Sequence, residues 1–354
     1  MNKYIHYLDK PLITYVPGTG ATVLAEAAHV GHSFHEEIAY GVAHGAAFVG
    51  RPSFCLMKSH GVAKAMNAVI ASLAAGTSAP MIGIVFDDPS GKTSDHAFCA
   101  RTMLEGAGAW VTDSVEQAFQ LSERYRVPTF FCTAQAIEID WKAFLSRSFP
   151  RIEKRIALLN PLQSEWQQRR ALARSIAKTK DAEFHFNEAL PELNCPGSLP
   201  PHLKSTAESY EPWIAELKKA GFDWVTGDAG TSSLFGLPPH LFMDVTTYMG
   251  GSIPLAIGAT LCGYRTLAVT GDFSFLSTGA LGMMEAHRRN LSIHIAVLCN
   301  QKAAATGGQE VSLEWVKSSI PSYVEVKAFQ KSPSSEFRDF FTKSDGIKVG
   351  LISV

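Results

Sequence analysis

The sequence has no close pair of cysteines. Its six, at positions 55, 99, 132, 195, 262 and 299, form no CxxC. Structural zinc and iron–sulfur clusters usually need closely spaced thiolates, so neither is expected. Scattered thiols suit a reducing compartment, and the expected location is the cytoplasm. An excess of charge is also missing, since 32 Lys and Arg stand against 33 Asp and Glu. That removes the electrostatic footprint of a nucleic-acid partner. No clean apolar run of membrane-crossing length exists. The longest candidate, 67–86, is broken by Asn67, Ser72, Gly76, Thr77, Ser78 and Pro80, and divides into a helix, a turn and a strand. Met1 to Lys10 has no apolar signal core. A dinucleotide fingerprint fails too, because Gly18-Thr19-Gly20 lacks the third glycine at the required place.

What remains is a chain of 354 residues, 46% hydrophobic and only 18% charged. Such a chain can bury a large core, and its length suggests about two domains. The low charge fits a surface partly covered by a partner subunit.

From Leu12 to Thr133, short β-rich runs alternate with helical patterns. Strands are expected at 12–16, 53–57, 81–86 and 127–132. Helices are expected at 21–30, 36–49, 61–75 and 114–124. Alternation of this kind predicts an α/β fold, a mostly parallel sheet flanked by helices. The stretch 151–180 is rich in Arg, Lys, Gln and Leu, reads as helix, and includes Arg169-Arg170 as a charged face. Residues 194–201 (NCPGSLPP) read as irregular. Strands resume at 224–226, 267–270, 293–299 and 348–354, with helices at 253–261 and 278–288. The expected organisation is a first domain over 1–148, a helical connector over 149–206 and a second domain over 207–354.

Chemistry concentrates in 267–300. A strand ends at Gly271-Asp272, a helix follows, and a second strand ends at Asn300. Asp272 and Asn300 are 28 residues apart, a natural length for one βαβ unit. A right-handed crossover brings both to the carboxyl ends of strands in one sheet, where open α/β sheets bind ligands. A carboxylate, an amide oxygen and a nearby backbone carbonyl make a hard-oxygen set that Mg²⁺ favours. Gly-Asp and Asn after strands are also common turns, so the residues alone leave both readings open.

The stretch GDFSF…LCNQKAAATGGQ resembles the metal-diphosphate motif of thiamine diphosphate (ThDP) enzymes. The resemblance implies Asp272 and Asn300 as Mg²⁺ ligands, with the Lys302 carbonyl as the third. Phe273 stands where the motif usually has a second glycine. Gly271, Ser274 and Phe275 fall on the coenzyme side, as do Thr306 and Gly307. HEEIAYGVAHGAAFVG, from His35, is similar to the segment of pyrimidine-binding domains whose glutamate bonds N1′ of the coenzyme. That residue is Glu36 here, with Glu37 one position out of register. Gly18 and Thr19 match the turn after the first strand. Asp228, Gly230, Thr231 and Ser232 (in GDAGTS) match an earlier diphosphate-contacting turn. Met249 and Gly250 match the start of the helix beneath the coenzyme, with Met249 as the apolar residue that bends it.

The resemblance therefore implies two ThDP-binding-type domains, pyrimidine-binding and then diphosphate-binding, with ThDP and Mg²⁺ as cofactors. It implies a decarboxylase or carboligase acting on a 2-oxo acid through a C2 ylide and an enamine, with an aldehyde or acyl group as possible acceptor. Glu36 would act at N1′, a use that needs a buried carboxyl with a raised pKa. His35 and His60, near expected strand–helix turns, are candidate catalytic proton donors, with His29 and His32 nearby. Lys58, Lys92, His96 and Arg101 are candidates for pairing with an anionic substrate. Glu36 of one chain and Asp272 with Asn300 of another would serve each site in a homodimer or dimer of dimers. The short length, 59–67 and TGGQ at 306–309 resemble phosphonopyruvate and sulfopyruvate decarboxylases, while 56–89 and 227–309 resemble the α subunit of indolepyruvate ferredoxin oxidoreductase. The latter suggests an alternative, an oxidoreductase component with a separate redox partner. A catalytically silent subunit is the remaining reading.

Overall fold

The structure, a computed structural model, describes residues 11–92, 94, 96–144, 199, 201–343 and 345–354. The helix expected over 151–180 lies outside the described residues, as does most of the irregular stretch 194–201. The described chain divides into two compact units, one ending at residue 144 and the other beginning at residue 199.

The first unit runs β1 (Leu12–Tyr15), α1 (Ala21–Ala27), α2 (Glu36–Phe48), β2 (Ser53–Lys58), α3 (Ser59–Ala75) and β3 (Met81–Phe86). It continues with α4 (Arg101–Gly106), β4 (Trp110–Thr112), α5 (Val115–Tyr125) and β5 (Thr129–Thr133). Its strands form one sheet in the order β1-β2-β3-β5-β4, every pair parallel. All six residues of β3 are buried, as a strand covered on both faces requires. Ile38 to Phe48 of α2 are buried without interruption. Small residues on this helix (Ala39, Gly41, Ala43, Gly45, Ala46, Ala47) let it pack closely against β1, β2 and α3. Two polar contacts fasten the helix pair: Tyr40 Oη lies 2.8 Å from Ser72 Oγ, and His44 Nε2 lies 2.9 Å from the Gly76 carbonyl.

The second unit runs α6 (Lys204–Lys219), β6 (Trp224–Gly227), β7 (Val245–Thr246), α7 (Ser252–Leu261), β8 (Thr266–Gly271), α8 (Asp272–Arg288) and β9 (Ile293–Cys299). After a two-stranded hairpin of β10 (Lys302–Ala303) and β11 (Gln309–Glu310) come α9 (Leu313–Ser318), β12 (Glu325–Gln330), α10 (Ser335–Thr342) and β13 (Ile347–Ser353). The main sheet is again parallel throughout, in the order β12-β13-β9-β8-β6-β7. All ten residues of α7 are buried. On α6, Ala207, Tyr210, Trp213, Ile214 and Leu217 recur at helical spacing and enter the core with Phe337 and Phe341 of α10.

Two differences from the sequence expectation bear on the site. Helix α8 begins at Asp272, six residues before the expected start at Thr278, which places that carboxylate on the first turn. Helix α3 begins at Ser59, which places His60 on a first turn as well. The α4–β4 pair and β12 were not foreseen. β4 is only three residues long, and β12 is an edge strand whose exposed Glu325, Val326 and Ala328 hide any alternation.

Candidate active site

In the second unit, β8 and β9 are adjacent and parallel, with Gly271 in register with Leu298. Their carboxyl ends deliver Asp272 and Asn300 to one edge. The chain makes a left-handed turn at Gln301 (φ 56°), which returns its N–H to Asp272. Gln301 N donates to Asp272 Oδ2 at 2.6 Å, and Phe273 N donates to Oδ1 at 2.8 Å. Lys302 N donates to Asn300 Oδ1 at 3.3 Å, while Asn300 Nδ2 donates to Thr231 Oγ1 at 3.3 Å. Asp272 is almost fully buried, and desolvation pushes its carboxyl up while the backbone N–H bonds oppose the shift. The backbone therefore ties Asp272, Asn300 and Lys302 together. Asn300 also reaches Thr231, in the turn after β6.

Met249 and Gly250 form the turn before α7. Gly250 has φ +84°, and a Cβ there would lie 2.1 Å from Thr278 Oγ1, so only glycine fits. Its carbonyl accepts from that same hydroxyl at 3.0 Å. Met249 and Phe273 are partly exposed, at 37% and 46%, which leaves apolar surface beside the polar edge. Gly230 (φ +112°) has open space where a Cβ would stand. Ser274 Oγ donates to the Ala229 carbonyl at 3.4 Å. Phe275 is fully buried, its ring against Gly279 one turn further along α8, so its side chain serves packing. Thr306 and Gly307 lie in the β10–β11 hairpin, where Gly307 has φ +117°.

In the first unit, α2 begins after His35 and carries both Glu36 and Glu37 in its first turn. Glu36 Oε2 lies 2.8 Å from Lys64 Nζ on α3, an ion pair without hydrogen-bond alignment. Gly61 makes room for Glu36, since a Cβ there would come within 2.7 Å of Glu36 Cγ. Glu37 turns to Asn67 instead, accepting from Nδ2 at 3.0 Å, and burial raises its carboxyl. His35 is held below the usual imidazole range by burial first and the Lys64 charge second, and its Nδ1 is buried without a hydrogen-bond partner. His60 Nε2 and His96 Nε2 are 3.1 Å apart, with Phe98 against the His60 ring. They lie 36 residues apart in the chain, and no periodicity signals their contact. Gly18 packs on Lys58, Thr19 is exposed, and Gly20 (φ +79°) sits so close to Phe86 that a Cβ would be 2.1 Å from the ring. His29 and His32 are exposed, His32 lying edge-on to Phe34. Arg101 binds the Thr112 carbonyl and Asp113, so it clamps α4 to β4. Lys92 is exposed on the loop after β3.

Residues 228–333 match the family model of the thiamine pyrophosphate enzyme C-terminal TPP binding domain. The match covers much of the second unit and none of the first.

Among solved structures, the chain is similar to the thiamine diphosphate-dependent 4-hydroxybenzoylformate decarboxylase of Rhodococcus jostii RHA1. The TM-score is 0.59 at 12% identity, covering 97% of this chain and 96% of that one. It is equally similar to a candidate thiamin diphosphate-dependent enzyme isolated from Mycobacterium smegmatis, with TM-score 0.59 at 14% identity, covering 99% and 97%. At these identities the likeness is one of fold. No curated protein matches the chain in sequence. Among the described residues, no helix is long and apolar enough to cross a membrane.

The donor chemistry fits the coenzyme that this domain model names, thiamine pyrophosphate. Asp272, the Asn300 amide oxygen and the Lys302 carbonyl are hard oxygens on adjoining backbone, the type of set that holds Mg²⁺ with a phosphate. The turn at Gly230 leaves open space beside them.

Proposed function

We propose that the protein is a ThDP- and Mg²⁺-dependent decarboxylase or carboligase of a 2-oxo acid. The observation that carries this reading is the joining of Asp272 to the Asn300–Lys302 turn through the Gln301 N–H, at the carboxyl edge of a parallel sheet. When bound, the coenzyme supplies the carbanion that attacks the 2-oxo carbon and the electron sink that lets CO₂ leave.

The chain's own residues do the rest. Asp272, Asn300 and the Lys302 carbonyl would hold Mg²⁺, and the turn from Gly230 to Ser232 would offer backbone to the diphosphate. Met249 gives the coenzyme an apolar rest. Glu36 holds a proton against N1′, which requires Lys64 to release its carboxylate. His60, backed by His96, stands beside Gly61 on the same first turn and exchanges protons with the substrate. His35, kept neutral by burial, is available as an acceptor. The protein acts as a homodimer or dimer of dimers, Glu36 of one copy serving Asp272 and Asn300 of another. The domains we propose are 1–148 and 207–354 with 149–206 between them, the second limit falling within α6, which starts at Lys204.

Screening 2-oxo acids for CO₂ release, with and without aldehydes, tests the reading. Release that requires both ThDP and Mg²⁺ supports it. Turnover seen only when an electron acceptor is added replaces it with the oxidoreductase alternative. Absence of ThDP uptake in the presence of Mg²⁺ refutes both.

A further inference from the structure

Asp228 follows β6 directly, and its side chain is completely buried. Its Oδ2 accepts three hydrogen bonds: from Thr270 Oγ1 at 2.8 Å, the Gly250 N–H at 3.1 Å and Ser252 Oγ at 3.2 Å. Its Oδ1 lies 3.1 Å from Ser232 Oγ, whose hydroxyl also accepts from the Asp228 N–H at 3.2 Å. These partners come from four separate pieces of the unit. Ser232 lies in the turn after β6, Gly250 in the turn before α7, Ser252 at the start of α7, and Thr270 on β8 two residues before Asp272. Three of those pieces carry residues assigned above to the coenzyme.

A carboxylate with no exposed surface cannot itself reach a ligand. It is also costly to bury, and every group facing it is a hydroxyl or a backbone N–H. Burial pushes the carboxyl up to about 7, the four hydrogen bonds work against that rise, and no charged side chain contributes. In the ionised form Oδ2 accepts from its three donors and Oδ1 from the Ser232 hydroxyl, which shares its one proton with the Asp228 carbonyl at 2.8 Å, whereas a protonated carboxyl must itself donate from one oxygen. Bonds to a charged acceptor are about twice as strong as neutral ones, so ionisation decides how firmly the loops are held.

We propose that Asp228 is a positioning residue rather than a coenzyme contact: its ionised carboxylate fixes Ser232, the Met249–Gly250 turn and the end of β8, so that coenzyme affinity depends on its charge. The proposal rests on the functional reading above and departs from the sequence-based assignment of Asp228 to direct contact. Through Gly250 it acts on Met249, and through Thr270 on the Asp272 end of β8. Acid that protonates Asp228 loosens these segments without removing any ligand of the Mg²⁺ or the diphosphate.

The test is calorimetric titration of ThDP with Mg²⁺ into wild type and Asp228→Asn, from pH 6 to pH 8.5. The coenzyme's own ionisation affects both proteins alike, so the gap between them isolates Asp228. At pH 8 the variant should bind about tenfold or more weakly, the cost of losing charge-assisted bonds. The gap should close towards pH 6, where the wild-type carboxyl becomes neutral. Equal affinity at pH 8, or a gap that does not change with pH, overturns the proposal. If Asp228→Asn does not fold, Thr270→Val removes the shortest donor, and the pH at which affinity falls should move upward. An unmoved profile overturns the proposal in that case. Wild type that takes up no coenzyme at any pH refutes the functional reading itself, a result distinct from either of these.

Discussion

Glu36 and Asp272 make opposite demands of a substitution. Glu36→Gln keeps the shape and the hydrogen-bonding reach of the side chain but removes its proton chemistry. It should retain ThDP while turnover falls by about 10²–10⁴-fold, measured by coenzyme titration beside steady-state CO₂ release. Full activity in Glu36→Gln would remove the assignment. Asp272→Ala should instead abolish the Mg²⁺-dependent part of ThDP affinity, because Asn300 and a carbonyl alone carry no charge to hold the ion. Gly250→Ala tests the backbone. With φ +84° and Thr278 in the way, it should destabilise the unit by more than about 1 kcal/mol in urea unfolding. A neutral result there would mean that the turn can rearrange.

At the scale of elements, two of the buried histidines, His44 and His294, give the protein an acid limb. His44, between α2 and α3, is held neutral by burial at about 4, and His294 on β9 is held at about 4 for the same reason. Both are lowered from the usual imidazole range, so the unfolded chain binds the extra protons first. Stability is therefore full above about pH 6.5 and is lost as pH falls from there towards 4, by on the order of a few kcal/mol if both act. Replacing His44 by Gln should flatten that limb, read as the difference in urea midpoint between pH 7 and pH 5. An unchanged slope would assign the acid sensitivity elsewhere.

The same elements show what a sequence reveals. The strand at 81–86 and the strand at 293–299 were legible to the residue, because continuous burial leaves a run that is apolar throughout in the first and broken only by His294 in the second. The start of α8 was not. Asp272-Phe273-Ser274 reads as a turn, yet these residues begin the helix, where the dipole favours a carboxylate. The spacing from Asp272 to Asn300 was legible as one βαβ crossover. The Gln301 N–H that joins its ends, the Lys64 partner of Glu36 and the pairing of His60 with His96 were not, because each depends on where a turn or a neighbouring helix aims a side chain. At Asp228 the motif marks the position, and its complete burial is visible only in the fold.

For the whole molecule, ligand linkage gives a simple measurement. A coenzyme that binds only the native state should raise the melting temperature in proportion to the logarithm of its concentration, and only with Mg²⁺ present. Chelation should return the melting curve to that of the free protein. Sedimentation should give at least twice the 38.4 kDa of one chain. A monomer that turns over substrate would exclude a site shared between copies.

The left-handed residue at 301 has a kinetic corollary. Because the strand-end carboxylate and the amide that follows it are already joined through main-chain atoms, loading needs no search by a floppy segment. Mixing apoprotein with cation and vitamin derivative should reach full occupancy in a single phase, without the lag that marks enzymes whose cradle must first be organised.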